Sequence, residues 1–307
     1  MPASGYFTRR TFLQKASMFS AGLWWGAGSL IAKKQRLSFS TLGCPDWEFP
    51  RIVAFARQHQ YAAIEVRGIL RELDLPKCKE FSTSANRKET LARMSDAQLT
   101  FINLGSSCTL HFPEGEVRNK NLDEGRRYID LAAELNCPNI RVFPNNFPKE
   151  QDRQKTLELM VSGLLTLAEY AKDTSVNILL ESHGDLVYVK DLIMVMEAAS
   201  RSNIGLIWDF TNMWSITRES PEQVFPLLQK HIRHVHVKDA LLANGTPQYC
   251  LLGRGDIPVK QAIDLLRKGN YSGYYSFEWE KLWHPEILDP EEAMSDYVQV
   301  MHQFLKQ

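Results

Sequence analysis

The chain has 307 residues, of which 44% are hydrophobic and 23% charged, with Lys+Arg and Asp+Glu both at 36. That length suits one large α/β barrel or two ordinary domains, and such a chain closes a core without disulfide staples. A formal net charge of zero with no basic stripe argues against a nucleic-acid or anionic-membrane partner.

In chain order, the first feature is Thr8-Arg9-Arg10-Thr11-Phe12-Leu13-Gln14-Lys15, followed by a mildly apolar, Gly- and Ala-containing run over residues 16–32. Two arginines ahead of such a run resemble a twin-arginine export signal. The run is short and Gly-interrupted for a membrane span. Residues 1–36 are therefore expected to be an export segment read by the twin-arginine machinery, which implies a periplasmic protein. An uncleaved signal would leave it membrane-anchored. The five cysteines, Cys44, Cys78, Cys108, Cys137 and Cys250, form no C-x-x-C pair and read as buried small apolar residues.

From residue 37 onward, β-branched or apolar runs alternate with helical patterns. Strands are predicted over 37–41, 62–66, 99–104, 139–143, 176–181, 204–209, 232–237 and 273–278. Helices are predicted over 49–59, 87–95, 122–135, 154–172, 189–199, 221–229, 259–267 and 291–305. Ser220 before Pro221 is a helix-start signal, and Asn121 is a cap candidate for the third helix. Strict alternation implies a parallel sheet with right-handed crossovers. No Gly-x-Gly-x-x-Gly follows an early strand, which weakens the dinucleotide-binding alternative. The expected fold is a single (β/α)8 TIM barrel over residues 37–307.

Polar residues collect at the C-terminal ends of the later strands, where barrel enzymes carry their sites. The fifth ends Leu180-Glu181-Ser182-His183, the sixth Trp208-Asp209-Phe210-Thr211-Asn212, the seventh His234-Val235-His236-Val237-Lys238-Asp239 and the eighth Phe277-Glu278-Trp279-Glu280. Residues two apart on a strand share a face, so Glu181, Asp209, His236 and Glu278 can converge at one mouth. Three carboxylates and one imidazole are a hard donor set, suited to Mn2+, Mg2+ or Co2+. Crowded carboxylates without a cation would repel one another, which is the physical reason to expect one. His234 and Glu280 read as supporting residues, with ordinary hydrogen-bonding or ion-pair roles as the plainer explanation. Trp279 reads as packing, and Trp283 and His284 as substrate rim. His111, Arg141 and Asn145 are further rim candidates.

Together with Ile64-Glu65-Val66, Gly253-Arg254-Gly255-Asp256-Ile257 and Tyr271-Ser272-Gly273, these motifs resemble the xylose-isomerase-like barrel superfamily of sugar phosphate isomerases and epimerases, over essentially residues 37–305. The resemblance implies metal ligation by Glu181, Asp209, His236 and Glu278. It also implies that Glu181 and Glu278 act as the acid/base pair around a cis-enediolate, with His183 and Lys238 as substrate or supporting groups. The metal would be one divalent ion, Mn2+ first, with Mg2+, Co2+ or Zn2+ as alternatives. Many relatives carry His three residues after the sixth-strand Asp; here Asn212 stands there, able to hydrogen-bond a sugar hydroxyl but not to shuttle a proton. That departure counts against the multi-zinc nuclease branch. The functional expectation is an exported sugar isomerase or epimerase acting on an unphosphorylated carbohydrate. The alternatives are a lyase or dehydratase on 3-keto-glycosides and a non-catalytic sugar-binding barrel. A homo-oligomer is compatible with all three.

Overall fold

A computed structural model describes Met1, residues 35–243 and residues 246–306. The export-signal expectation falls on residues 2–34 and lies outside the described residues. The barrel belongs to the unit Lys34–Gln307. Its eight parallel strands are β1 (Leu37–Ser40), β2 (Ala63–Val66), β3 (Thr100–Thr109), β4 (Asn139–Phe143), β5 (Asn177–Glu181), β6 (Ile204–Asp209), β7 (Ile232–Val237) and β10 (Tyr275–Phe277). They close in the order β1-β10-β7-β6-β5-β4-β3-β2, the (β/α)8 architecture expected from the alternation. An antiparallel pair, β8 (Asp239–Leu241) and β9 (Gln248–Cys250), stands outside the barrel.

Helices α1 (Phe49–Gln58), α2 (Ser84–Asp96), α3 (Glu116–Glu134), α4 (Arg153–Tyr170), α5 (Val189–Ala198), α6 (Phe210–Thr217), α7 (Pro221–Leu228), α8 (Val259–Lys268) and α9 (Pro290–Lys306) accompany the strands. Their amphipathic spacing explains the packing: α8 buries Val259, Ala262, Ile263 and Leu266, one stripe at helical period. Side-chain caps fix several starts. Thr83 accepts from the Asn86 N–H before α2, and Ser220 and Gln223 form a reciprocal capping box at α7.

Three features depart from the sequence expectation. Asn121 does not cap α3, which starts at Glu116; its side chain instead donates to Val117 O and accepts from the Thr109 N–H. α6 was not anticipated, because it begins at the residue after β6 with no loop to announce it. The β8–β9 hairpin was also missed, being too short to show a period. Four cysteines are buried, Cys250 is half-buried, and all five are free thiols.

Closure between β1 and β10 is backed by an aromatic stack. Phe277 lies 4.6 Å from Tyr297 of α9 and 5.6 Å from Trp279, and Phe39 meets Tyr61 edge-on at 4.8 Å. The Tyr297 hydroxyl donates to Tyr275 O and that of Tyr61 to Met294 O, so both buried phenols are satisfied. Phe277→Ala is expected to cost about 3–5 kcal/mol, with Ser220→Ala near 1 kcal/mol, read as shifts in the urea-unfolding midpoint.

Candidate active site and metal centre

The register of neighbouring strands sets the levels of the polar groups. Asp209 pairs with His236, and His236 with Ser276, so β6, β7 and β10 present donors at adjoining heights. Glu181 ends β5 opposite Ile207, two residues before Asp209. A register shift between Leu206 and Ile207 contributes to this alignment. Donor atoms of Glu181, Asp209, His236 and Glu278 all lie within 4.8 Å of one another. The structure thus brings the four expected ligands into one buried cluster.

Each donor is held by a second contact. Asp209 Oδ1 accepts from the Asn212 N–H at 2.8 Å and caps α6, which aims Oδ2 into the cluster. Asp209 Oδ2 is buried and accepts no hydrogen bond, although Lys238 Nζ stands 2.8 Å away. Burial pushes the Asp209 carboxyl up to about 6, against the pull of Lys238. His236 Nδ1 faces Glu181 Oε1 at 3.0 Å and Glu278 Oε2 at 3.3 Å, while its Nε2 meets Glu65 Oε1 at 3.0 Å. Glu65 also accepts from Ser276 and contacts His234 Nε2, both at 2.8 Å. Burial alone would raise Glu65, but His236 and His234 outweigh it and hold this carboxyl well below its ordinary range. A carboxylate behind an imidazole is the arrangement that fixes the ring of a metal ligand. Three carboxylates, one imidazole and an under-satisfied oxygen fit a hard divalent cation.

Two cations partner the cluster. Arg141 Nη1 donates to Glu181 Oε2 at 3.0 Å and lies 3.7 Å from Glu278 Oε1. Lys238, 1% exposed, touches Glu278 Oε2 at 2.6 Å and Glu280 Oε1 at 2.8 Å. For Glu278, burial is the largest influence and raises it, but His236, Lys238 and Arg141 together hold it well below the usual carboxylate range.

Glu181 and Glu278 of the cluster, with Arg141, line a cavity of about 320 Å3 at the C-terminal ends of the strands, also reached by Arg67, Ser107, His183, Glu280 and Trp283. A hollow of about 900 Å3 lies at the opposite end, against Asn139, Asn177 and Ile232. It carries no comparable carboxylate cluster among the described residues, so chemistry, not volume, selects the site.

The remaining expected residues divide. His183 lines the cavity and stacks on Phe143 at 4.3 Å, with Nδ1 unpartnered. Trp283 reaches it and is 54% exposed, whereas Trp279 is buried and donates Nε1–H to Leu288 O. Asn145 lies on the lining, and Glu280 does too, beyond its supporting contact with Lys238. His234 lies behind Glu65. His111 is not brought to the site: its ring is buried and Nδ1 donates to Pro144 O at 2.7 Å. Asn212 is also off the lining, because its Nδ2 is turned to Ser182 O at 3.3 Å. His284 points to Glu286 and Tyr249 rather than into the cavity. Asp239 proves to be a loop anchor: its carboxylate accepts backbone N–H groups of Ala240, Gly253, Gly255 and Ile257. A Cβ at 255 would sit 2.1 Å from Asp239 Oδ1, which explains the glycine there.

Glu65 and Arg67 were missed as site residues. Both sit at the end of β2, on the far side of the barrel in sequence terms. Tyr249, 5.8 Å beneath the Lys238 ammonium, comes from the unanticipated hairpin.

A family model described as xylose isomerase-like TIM barrel matches residues 53–303, and the chain belongs to that family. It is 23% identical over 158 residues to the Escherichia coli (strain K12) protein named Uncharacterized protein YihM, a match spanning 50% of this chain and 46% of that protein. Among solved structures, the IOLI protein with a binding zinc atom superposes with a TM-score of 0.75 at 16% identity, covering 89% of this chain and 98% of that one. The apo form of the 3-keto-D-glucoside 4-epimerase YcjR from E. coli gives 0.68 at 16%, covering 89% and 100%. At these identities the structural likeness speaks for the fold.

Glu65→Gln should weaken divalent-cation binding by about 10–100-fold with the fold intact, read by calorimetric titration and circular dichroism.

Proposed function

We propose that this chain is a divalent-metal-dependent sugar isomerase or epimerase that moves a proton at the carbon beside a carbonyl. The observation that carries the reading is the pair Glu181 and Glu278. They stand on strands separated by two others, line one cavity, and reach the same Arg141 nitrogen. Of two carboxylates facing a shared space, the ionised one can take a proton from one side of a bound carbon and the other, carrying a proton, can give one back from the opposite side. Lys238 and Arg141 favour the charged form of whichever carboxylate acts as the base. Trp283 offers an aromatic face to a sugar ring at the cavity edge, and Glu280 and His183 offer hydrogen-bonding groups for hydroxyls. Glu181, Asp209, His236 and Glu278 would hold a divalent ion, Mn2+ first among candidates, which would supply positive charge to polarise a substrate carbonyl.

The 3-keto-glycoside chemistry named for YcjR motivates a ketone-bearing glycoside among the substrates. Proton removal beside that ketone followed by loss of the aglycone would make the same site a lyase. The test is to strip metal, restore Mn2+, Mg2+, Co2+ or Zn2+ singly, and incubate with sugars and 3-keto-glycosides in D2O. Deuterium should enter beside the carbonyl only with metal present, and Glu278→Gln should slow it by about 10²–10⁴. Free aglycone among the products would make the enzyme a lyase. Retained sugar binding without any exchange would leave a binding barrel.

We further propose that the protein is exported to the periplasm, on the strength of Arg9-Arg10 and the apolar run at 16–32. An unphosphorylated substrate accords with that location. Replacing both arginines by lysine is expected to retain the protein in the cytoplasm, read by cell fractionation.

A further inference from the structure

We propose that Arg67 binds an oxyanion carried by the substrate, so that the sugar taken by this cavity is an acidic one. The inference rests on the reading of the cavity as a sugar site and narrows its substrate class.

Arg67 follows the last residue of β2, and its backbone is fixed: the N–H groups of Arg67 and Gly68 donate to Thr41 Oγ1 at 3.0 and 3.2 Å. The side chain lies flat over Gly105, where a Cβ would stand 2.8 Å from Arg67 Cδ. Its guanidinium donates to Ser107 Oγ at 2.9 Å and, at the long distance of 3.4 Å, to Gly105 O. The residue is 7% exposed and lines the cavity. Glycine at 105 and the hydroxyl at 107 thus make a built seat for this side chain.

What the seat lacks is a carboxylate in ion-pair contact, although Glu124 and Glu278 act on Arg67 from farther away. Arg141 has Glu181, and Lys238 has Asp209, Glu278 and Glu280. Arg67 has no carboxylate in ion-pair contact among the described residues, and its strongest partner is a neutral hydroxyl. Burial, with repulsion from Arg141 and against the pull of Tyr128, Glu124 and Glu278, draws its pKa down to about 10, which still leaves it cationic at neutral pH. A buried, unpaired charge is costly, and a methionine would fill the same space without that cost. A guanidinium fork matches a carboxylate or phosphate with two parallel hydrogen bonds, and the Ser107 hydroxyl proton remains to donate to the same group. The cavity volume of about 320 Å3 is on the scale of one sugar ring with its acidic substituent. An anion on the substrate therefore completes the pairing that the protein leaves open.

The test compares glucose, glucuronate and glucose 6-phosphate as probes, titrated calorimetrically into the metal-loaded protein. At least one acid should bind about tenfold or more tightly than glucose. Arg67→Met should erase that preference while leaving glucose affinity within about twofold, and Arg67→Lys should keep part of it. Preference for glucuronate identifies a carboxylate, and preference for the ester identifies a phosphate. Should Arg67→Met not fold, Ser107→Ala serves, with an expected loss of about threefold or more in the preference. Equal affinity for all three probes overturns the proposal, as does no binding of either acid on the order of 10 mM. A uniform loss across the three probes in Arg67→Met assigns Arg67 a structural role and also overturns it. Deuterium exchange is read separately. Acid binding through Arg67 without exchange retires the proton-transfer reading alone, and exchange without acid preference retires the anion subsite alone.

Discussion

Glu65, Glu181, Asp209 and Glu278 are 3% exposed or less, and they gather inside one barrel. Removing so many carboxylates from water is tolerable only where positive charge is interleaved among them. Arg141, Lys238 and His236 supply that charge, each touching at least two of the acids. The mouth is therefore a network in which no group can be removed without stranding another. A divalent cation would add to the same balance. Among the described residues Arg67 lines the cavity with no carboxylate in ion-pair contact.

The fold makes its site from residues that also do structural work. Asp209 caps α6 with one oxygen and offers the other to the cluster, so the helix fixes the direction of a charged group. Glu65 ties β2 to β7 and β10 through His234, His236 and Ser276, joining barrel integrity to the orientation of an imidazole. Asp239 holds the 253–257 loop by three backbone N–H groups and thereby seats the β8–β9 hairpin beside Lys238. A motif such as His-x-Lys-Asp thus serves three separate purposes, and its members cannot be assigned to chemistry as a block.

Much of the barrel was legible because each strand and helix leaves a period in the sequence. Glu181, Asp209, His236 and Glu278 were legible for a related reason: they stand at the ends of successive strands, and strand ends in a parallel barrel share one rim. Glu65 was not, because a single glutamate inside Ile64-Glu65-Val66 looks the same whether it faces the barrel axis or a helix. Both faces of that strand are buried, and alternation cannot tell them apart. His111 and Asn212 failed as rim residues for the opposite reason. Their sequence positions were right, but local backbone carbonyls, Pro144 O and Ser182 O, captured their polar atoms.

The sequence by itself determined the alternation of elements, the end of the barrel that carries the acids and the hard character of their donors. These follow from local periodicity and residue chemistry. Tertiary structure alone decided which charges neutralise which. The histidine partners of Glu65 lie 169 and 171 residues away, and the pairing of Arg141 with Glu181 across β4 and β5 follows from strand register. Whether a guanidinium finds a carboxylate is a matter of ångströms set by barrel closure, and no local pattern records it.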